Sequence, residues 1–305
     1  MYVFEAVEDF ILECEIKNLA HKTVKNRKFE LGQFNVYCNK NDITSVNDIT
    51  ERDVKNYFRQ HQKRGLSTSS MRSYYFALNT FFNFLIEEGE IKSNPLENMK
   101  PPAVKKSTIV AFNSVEVNKM INSYTFKSFK QARAKCIITL LADTGIRSVE
   151  IIGISLSDID DSQILIKKAK GGRERYVYMS ALCRRTLIKY LKIRRKYFSD
   201  HILIDDDALF VTSTTGKRMQ YPGLLQIVKR AGERAEITDK RVSPHSFRHF
   251  YAIQSLLAGI DIYSLQRLLG HSDLATTQIY LHSMKDVEVK RQAMKYSPIM
   301  NLHKK

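Results

Sequence analysis

The sequence predicts a mainly α-helical protein with one small antiparallel β-sheet, divided between two domains. Apolar residues recur at helical spacing in residues 1–98 and again through most of the second half of the 305-residue chain. Three of the six prolines stand close together between these parts, in NPLENMKPPAVKKSTIV at residues 94–110. Two short segments of strand character flank a glycine-containing turn in the second part. A chain of this length is also typical of two domains.

Residues 1–98 are expected to form a bundle of four helices. The helical spacing is carried by FEAVEDFILECEI, TVKNRKFELGQFNVYC, ITERDVKNYFRQHQ and SSMRSYYFALNTFFNFLIEE. Ser or Thr precedes several of these segments and Gly89 follows the last, which is typical of helix caps. Basic residues on the exposed faces are either phosphate contacts or ordinary solvated side chains, and for any single one the solvated alternative is favoured: Lys22, Lys25, Arg27, Lys28, Arg64 and Arg72.

The prolines predict a linker at residues 99–108, because the residue before a proline is biased away from helix. The second domain then covers residues 109–305. It opens with a helix in SFKQARAKCIITLLADTG, closed by Gly145. ILIKK and RYVYM are expected to pair as a hairpin around AKGGRE, with ALFVT at residues 208–212 as a third strand. Helices are expected from there almost to the end of the chain.

Positive charge is concentrated in the second domain. The net charge is +17; residues 1–105 carry 15 Lys and Arg against 14 Asp and Glu, whereas residues 106–305 carry 34 against 18. Such a field attracts a polyanion, for which nucleic acid is the leading candidate and an anionic membrane the second. Solubility alone is the remaining explanation.

The sequence favours neither a membrane protein nor a secreted one. It contains no run of about 18 apolar residues, and MYVFEAVEDF at its start lacks the basic and apolar regions of a signal peptide. Cys14, Cys38, Cys136 and Cys183 lie far apart without a CxxC pair, which favours free thiols in a reducing compartment. A cytoplasmic location is therefore expected.

A candidate phosphate site stands in SPHSFRHFYAIQSLLAG, residues 243–259. Ser243 suits the N-cap of a helix, Pro244 its first position and Gly259 its end. His245 and Arg248 then share one face of the first turn, where the backbone N–H groups already favour an anion. The alternative is a structural arginine paired with a carboxylate.

A zinc site is the competing interpretation of the same helix. His245 and His249 stand at i and i+4, a spacing that suits zinc. Position 246 is Ser where the HExxH motif has Glu, and no nearby Cys, Asp or Glu offers a third ligand. We therefore expect no metal and no cofactor.

In the segment LLGHSDLATTQIYLH, residues 268–282, Tyr280 is either an aromatic residue that packs in the core or a catalytic residue. Gly270 ends one predicted helix, and Ser272 or Asp273 caps the helix that carries Tyr280. His271 occupies the loop between them. Nine residues on an ideal helix leave two side chains about half a turn apart, so His271 meets Tyr280 only if the loop folds back.

Three further residues complete a candidate catalytic set. Lys170 stands on the hairpin turn, either as a solvated side chain or as a charge and proton donor that reaches into a groove. Arg147 follows the Gly145 stop, with Glu150 three residues on, a pair that suits a fixed phosphate ligand or an ordinary surface ion pair. With His245, Arg248, His271 and Tyr280, these residues supply the groups that metal-free phosphoryl transfer needs.

At these residues the chain resembles a tyrosine recombinase of the phage integrase family, and its layout is similar to that of the short Xer-type members. The resemblance rests on TGIRSVEIIGIS, AKGGRERYVYM, SPHSFRHFYAIQSLLAG and LLGHSDLATTQIYLH, which stand in the family's order and cover most of residues 140–282. Residues 1–105 resemble the family's helical core-binding domain less sharply, through TVKNRKFELGQFNVYC and the NP after the fourth helix. The resemblance thus implies a core-binding bundle followed by a catalytic domain.

The resemblance also implies a role for each candidate residue. Tyr280 is the nucleophile, Arg147 and Arg248 are the arginines that bind the phosphate, and His245 accepts the tyrosine proton. Lys170 matches the hairpin lysine that protonates the leaving 5′ oxygen, although Lys167 and Lys168 stand beside it. His271 falls where members carry His or Trp, and Glu150 supports Arg147. Lys22, Lys25 and Arg72 are the candidate DNA contacts of the first domain.

The implied reaction forms a 3′-phosphotyrosyl link without metal or ATP, and two rounds of it pass through a Holliday junction in a homotetramer on double-stranded DNA. The tail after Met294 is expected to dock on a neighbouring protomer. The implied biological roles are resolution of chromosome or plasmid dimers, integration and excision, or transposition. Two alternatives stay open: a DNA-binding regulator of the same fold that does not cut, and a topoisomerase-like protein that relaxes supercoils without exchanging partners.

Overall fold

The computed structural model describes residues 1–103, 110–167 and 174–281, together with Met294, Ile299 and Leu302. Within these residues no helix is both long and apolar enough to cross a membrane. The chain divides into two compact units, Met1–Ser107 and Thr108–Lys305. The predicted linker at residues 99–108 lies partly outside the described ranges.

The first unit is built from four helices, as predicted: α1 (Val3–Ile16), α2 (His21–Lys40), α3 (Glu51–Lys63) and α4 (Thr68–Glu87). Their apolar faces meet in a core rich in aromatic rings, in which Phe34, Phe81 and Phe82 are fully buried. The side-chain oxygens of Thr50 and Ser67 accept backbone N–H groups at the starts of α3 and α4, which satisfies donors that a helix start leaves free.

The described part of the second unit contains eight helices: α5 (Ser114–Asn122), α6 (Phe129–Thr144), α7 (Ser148–Gly153), α8 (Ala181–Phe198), α9 (Tyr221–Arg234), α10 (Pro244–Ala258), α11 (Ile262–Leu269) and α12 (Ala275–Leu281). Helix α6 is the centre of the core, because buried residues occupy several of its faces and α5, α8, α9 and α10 all pack against it. It ends at Gly145 in a left-handed conformation, as the sequence predicts. The four cysteines of the chain are buried free thiols, also as predicted.

The predicted small antiparallel sheet is confirmed, but with a different third strand. It has the order β1 (Ile159–Asp160), β2 (Gln163–Ile166) and β3 (Arg175–Tyr178), with Ile164 of β2 opposite Val177 of β3. The predicted strand at residues 208–212 is wrong. Its first four residues are buried, but its backbone forms only isolated bridges, from Ala208 to Ser155 and from Val211 to Arg218, and does not join the ladder of the sheet.

Helices α10, α11 and α12 enclose a small apolar cluster of their own, formed by Ala252, Leu256, Leu265, Leu269 and Tyr280. The predicted ends of α10 are confirmed. Ser243 accepts the backbone N–H of Ser246, Pro244 stands at the first helical position, and Gly259 ends the helix with φ of 102°. This cluster fixes the ends of the three helices near one another, and these ends carry most of the candidate catalytic residues.

Candidate active site

Arg147 and Glu150 form the pair that the sequence predicts. Arg147 is the N-cap of α7, and its backbone N–H donates to Oε2 of Glu150 at 2.9 Å. Its Nη1 donates to Oε1 of the same carboxylate at 2.9 Å. Glu150 is buried, whereas a quarter of the Arg147 side chain is exposed. One edge of a firmly held guanidinium is thus open for an anion, which distinguishes this pair from an ordinary surface ion pair.

Arg175 on β3 is a member of this cluster that the sequence does not reveal. Its Nη1 and Nη2 donate to the two carboxylate oxygens of Glu150 at 2.7 and 2.8 Å, and its Nε donates to the carbonyl of Leu268 at 3.2 Å. Burial alone would raise the pKa of Glu150, but the hydrogen bonds and charge of Arg175, together with contacts from Arg147, hold that pKa at about 2. Glu150 is therefore ionised at every working pH.

Arg248 is buried in the first turns of α10, and its partners are not the carboxylate that the sequence left as an alternative. Nη1 donates to the carbonyl of Gly145 at 2.9 Å and Nη2 to that of Leu269 at 2.6 Å. Burial, followed by the nearby positive charge of Arg147, lowers the pKa of Arg248 to about 10. The guanidinium stays charged at neutral pH, and its two carbonyl partners are dipoles that carry no net charge, so it retains an attraction for an anion.

His245 and His249 lie on the same side of α10, with ring centroids 4.2 Å apart. His245 is exposed, and partial desolvation together with the charges of Arg248 and Arg241 lowers its pKa. Burial and the nearby His245 and Arg248 lower the pKa of His249 to about 4. Both imidazoles are thus neutral at pH 7. Within the described residues, the buried Nδ1 of His249 has no hydrogen-bond partner.

The predicted approach of His271 to Tyr280 is found. Nδ1 of His271 is 2.8 Å from Oγ1 of buried Thr277, which folds the histidine back onto α12. The rings of His271 and Tyr280 are nearly parallel with centroids 6.4 Å apart, and the ring of His249 lies 5.6 Å from that of Tyr280. Burial, followed by the charges of Arg248 and Arg147, lowers the pKa of His271 to about 3.

Tyr280 is both a packing residue and a member of the polar cluster. Only 1% of it is exposed, and it belongs to the apolar cluster of α10 and α11. Burial raises the pKa of its hydroxyl, whereas a hydrogen bond and the positive charge from Arg248 oppose that rise. Tyr280 is therefore a neutral phenol that needs a proton acceptor before it can attack an electrophile.

The remaining predicted site residues are less completely defined. Lys170 lies outside the described residues, so its role stays a prediction. Its neighbour Lys167 forms an ion pair with the buried carboxylate of Asp158. Lys22 and Lys25 are exposed on α2, whereas Arg72 donates to the carbonyl of Pro102 at 3.2 Å. DNA contact by Lys22, Lys25 and Arg72 also stays a prediction.

The metal alternative has no support in the described part of the chain, where no three His, Cys, Asp or Glu residues form a group that could hold a metal ion. The assembled groups are instead three arginines, three neutral histidines and a buried tyrosine. Fixed cations beside neutral proton acceptors suit a reaction in which an oxyanion gains charge and a hydroxyl loses its proton.

Both parts of the chain match models of one protein family. Residues 112–286 match the family described as phage integrase, and residues 8–89 match the phage integrase N-terminal SAM-like domain. The chain is 29% identical over 305 residues to tyrosine recombinase XerC of Oceanobacillus iheyensis, which covers 100% of this chain and 98% of that protein. It is 30% identical over 296 residues to tyrosine recombinase XerC of Leptospira interrogans, with coverage of 95% and 93%.

The fold agrees with that of solved recombinases. A post-cleavage complex of the XerH site-specific recombinase with its palindromic difH substrate has a TM-score of 0.75 at 23% identity, covering 93% of this chain and 82% of that one. Both halves of the chain thus match members of one family, and most of its length aligns with them. The chain therefore belongs to the phage integrase family and is a tyrosine recombinase.

Proposed function

We propose that the cluster around Tyr280 is the active site of this recombinase and that double-stranded DNA with a specific target sequence is its substrate. One observation carries the proposal: Arg147, Arg248 and His271 are held at the end of α11, and Tyr280 follows on the next helix. The strong positive charge of residues 106–305 supports a polyanionic substrate.

In the proposed reaction, the hydroxyl oxygen of Tyr280 attacks the scissile phosphorus and the bond to the 5′ oxygen breaks. His245, neutral at pH 7, takes the tyrosine proton, and Lys170 gives a proton to the departing 5′ oxygen. The guanidiniums of Arg147 and Arg248, with the imidazole of His271, bind the phosphate oxygens as their negative charge grows.

The product is a 3′-phosphotyrosyl link that keeps the energy of the broken bond. A 5′-hydroxyl from a partner strand can reverse the reaction on that link, so strands are exchanged without metal or ATP. We propose that two such rounds proceed through a Holliday junction in a homotetramer, with the tail after Met294 docked on a neighbouring protomer. Resolution of dimers, integration and excision, or transposition in the cytoplasm are the biological roles that this chemistry serves.

The test is capture of the covalent intermediate on a DNA with a nick a few nucleotides beyond the cleavage site. Cleavage then releases a short fragment that carries the 5′-hydroxyl, and this fragment diffuses away before it can reverse the reaction. The target sequence would first be selected from random DNA by binding to the full chain. With EDTA present throughout, the wild type should give a band of covalent complex on a denaturing gel, and Tyr280→Phe should give none while binding the site with nearly unchanged affinity.

Two results would overturn the proposal in different ways. Binding without covalent complex in the wild type, even after both partner sites are supplied, would favour a regulator that does not cut. Covalent complex in Tyr280→Phe would show that another residue is the nucleophile. Relaxation of supercoiled DNA without recombinant products from two sites would instead favour the topoisomerase-like alternative.

A further inference from the structure

The last carbonyls of α11 are the common anchor of three arginines from three different elements. Arg175 on β3 donates from Nε to Leu268, Arg248 on α10 donates from Nη2 to Leu269 at 2.6 Å, and Arg147 before α7 donates from Nη2 to Gly270 at 2.5 Å. A helix leaves its last carbonyls unpaired and carries partial negative charge at that end. Three guanidiniums therefore converge on a place that is both unsatisfied and electronegative.

Arg175 differs from the other two arginines in what else it binds. Its two terminal nitrogens form a fork on the carboxylate of Glu150, and that carboxylate also accepts Nη1 and the backbone N–H of Arg147. Only 11% of the Arg175 side chain is exposed, compared with 25% for Arg147. Arg175 thus has little surface left for a phosphate and acts through its neighbours.

The Arg175 side chain packs closely against the backbone of Gly270. Gly270 adopts φ of +65°, and a Cβ built there would lie 2.9 Å from both Cδ and Nε of Arg175. A close approach of this kind requires glycine, and the residue that follows is His271. Arg175 therefore lies directly over the turn that leads from α11 to the loop carrying His271 and then to Tyr280.

We propose that Arg175 is a positioning residue for strand cleavage: it fixes Glu150, and through it Arg147, against the end of α11. The phosphate-binding arginines are thereby held at fixed positions relative to the segment that carries His271 and Tyr280. The inference rests on the proposed function, since it assigns Arg175 to the same reaction. A residue that only stabilised the fold would lower the amount of folded protein without slowing the folded fraction.

The test measures DNA binding and single-turnover cleavage separately, at saturating DNA and at a temperature where circular dichroism shows every variant to be folded. Arg175→Met should bind the site within about threefold of wild type yet cleave about 10–100-fold more slowly, by analogy with the loss of the hydrogen-bond partners that orient metal-binding side chains. Arg175→Lys should be intermediate, because an ammonium is one point donor and cannot reproduce the fork.

A matched control is Arg194→Met. Arg194 is a buried arginine whose Nη2 donates to the carbonyls of Asp206 and Ala208 at 2.9 and 3.0 Å. Its loss removes a comparable guanidinium–carbonyl contact elsewhere in the unit, so it should lower the melting temperature without slowing cleavage by the folded protein.

A double-mutant cycle tests the route of the effect. If Arg175 acts through Glu150, the double variant Glu150→Gln/Arg175→Met should cleave no more slowly than Glu150→Gln alone. Multiplicative losses would overturn the inference, as would cleavage at the wild-type rate by folded Arg175→Met and Arg175→Lys. Absence of covalent complex in the wild type would instead contradict the proposed function itself, so the two failures are distinguishable.

Discussion

Replacing Glu150 with Gln removes the one carboxylate between Arg147 and Arg175 while preserving the size of the side chain. Four hydrogen bonds converge on it in the wild type: three from guanidinium nitrogens and one from the backbone N–H of Arg147. In the variant one oxygen becomes an NH2 group that faces donors, so at most half of these contacts survive. Two guanidiniums are also left without their counter-charge.

Removing one partner of a buried ion pair typically costs about 3–5 kcal/mol of stability. Because Arg147 and Arg175 retain 25% and 11% side-chain exposure, water can replace part of the loss, and we expect the lower end, about 3 kcal/mol. For a unit of roughly 200 residues this corresponds to a fall of about 6–12 °C in melting temperature. Thermal unfolding followed by circular dichroism at pH 7 measures it.

The matched control is Asp161→Asn, which removes an exposed carboxylate paired with Arg184 in the same unit. An exposed pair contributes less than about 1 kcal/mol, so this variant should melt within a few degrees of wild type. Because Glu150 has a lowered pKa of about 2, its contribution is lost as pH falls from about 4.5 towards 2, and the gap between wild type and Glu150→Gln should close there. A Glu150→Gln melting temperature equal to that of Asp161→Asn at pH 7 would refute this reasoning.

Three further outcomes follow from packing, backbone conformation and titration. Gly145→Ala should lower the melting temperature clearly more than Gly89→Ala. Both glycines have positive φ, but a Cβ at Gly145 would lie 2.5 Å from the Tyr251 ring, whereas a Cβ at Gly89 would meet no atom within 4 Å. Equal decreases in melting temperature would contradict a steric clash at Gly145. Tyr280→Ala should cost about 3–5 kcal/mol in unfolding free energy, whereas Tyr280→Phe should cost much less, since it keeps the packing of a ring that is 1% exposed; denaturant titration of both checks this. Lowering the pH from 7 to 5 should destabilise the protein, because His271 binds a proton in the unfolded chain but not in the folded state, where its pKa is about 3. His271→Gln should reduce that loss of stability by about 1–2 kcal/mol, and an unchanged pH dependence would contradict a neutral, partly buried imidazole.

Local patterns predicted most of the helices and most of the residues that the structure brings together in the candidate site. The ends of α10 follow from Ser243, Pro244 and Gly259, because capping preferences act within a few residues. The pairing of Arg147 with Glu150 follows from a spacing of three residues. These features depend on neighbours in sequence, and so sequence alone reveals them.

The features that the sequence did not reveal depend on contacts between distant segments. Arg175 lies 25 residues from Glu150 and 93 from Leu268, and nothing in its local pattern marks it as a partner of either. The carbonyl partners of Arg248 were likewise hidden, because backbone acceptors leave no residue type to recognise. The segment at residues 208–212 has the composition of a strand, yet its backbone bonds to two separate segments instead of one ladder.

The most direct measurement of the central claim is the identity of the residue that carries DNA after cleavage. Covalent complex from the nicked substrate would be digested with nuclease and trypsin and analysed by mass spectrometry. Trypsin releases residues 268–285, LLGHSDLATTQIYLHSMK, in which Tyr280 is the only tyrosine. A nucleotide adduct on Tyr280 of this peptide is the predicted result, and an adduct on any other peptide or side chain would contradict the account.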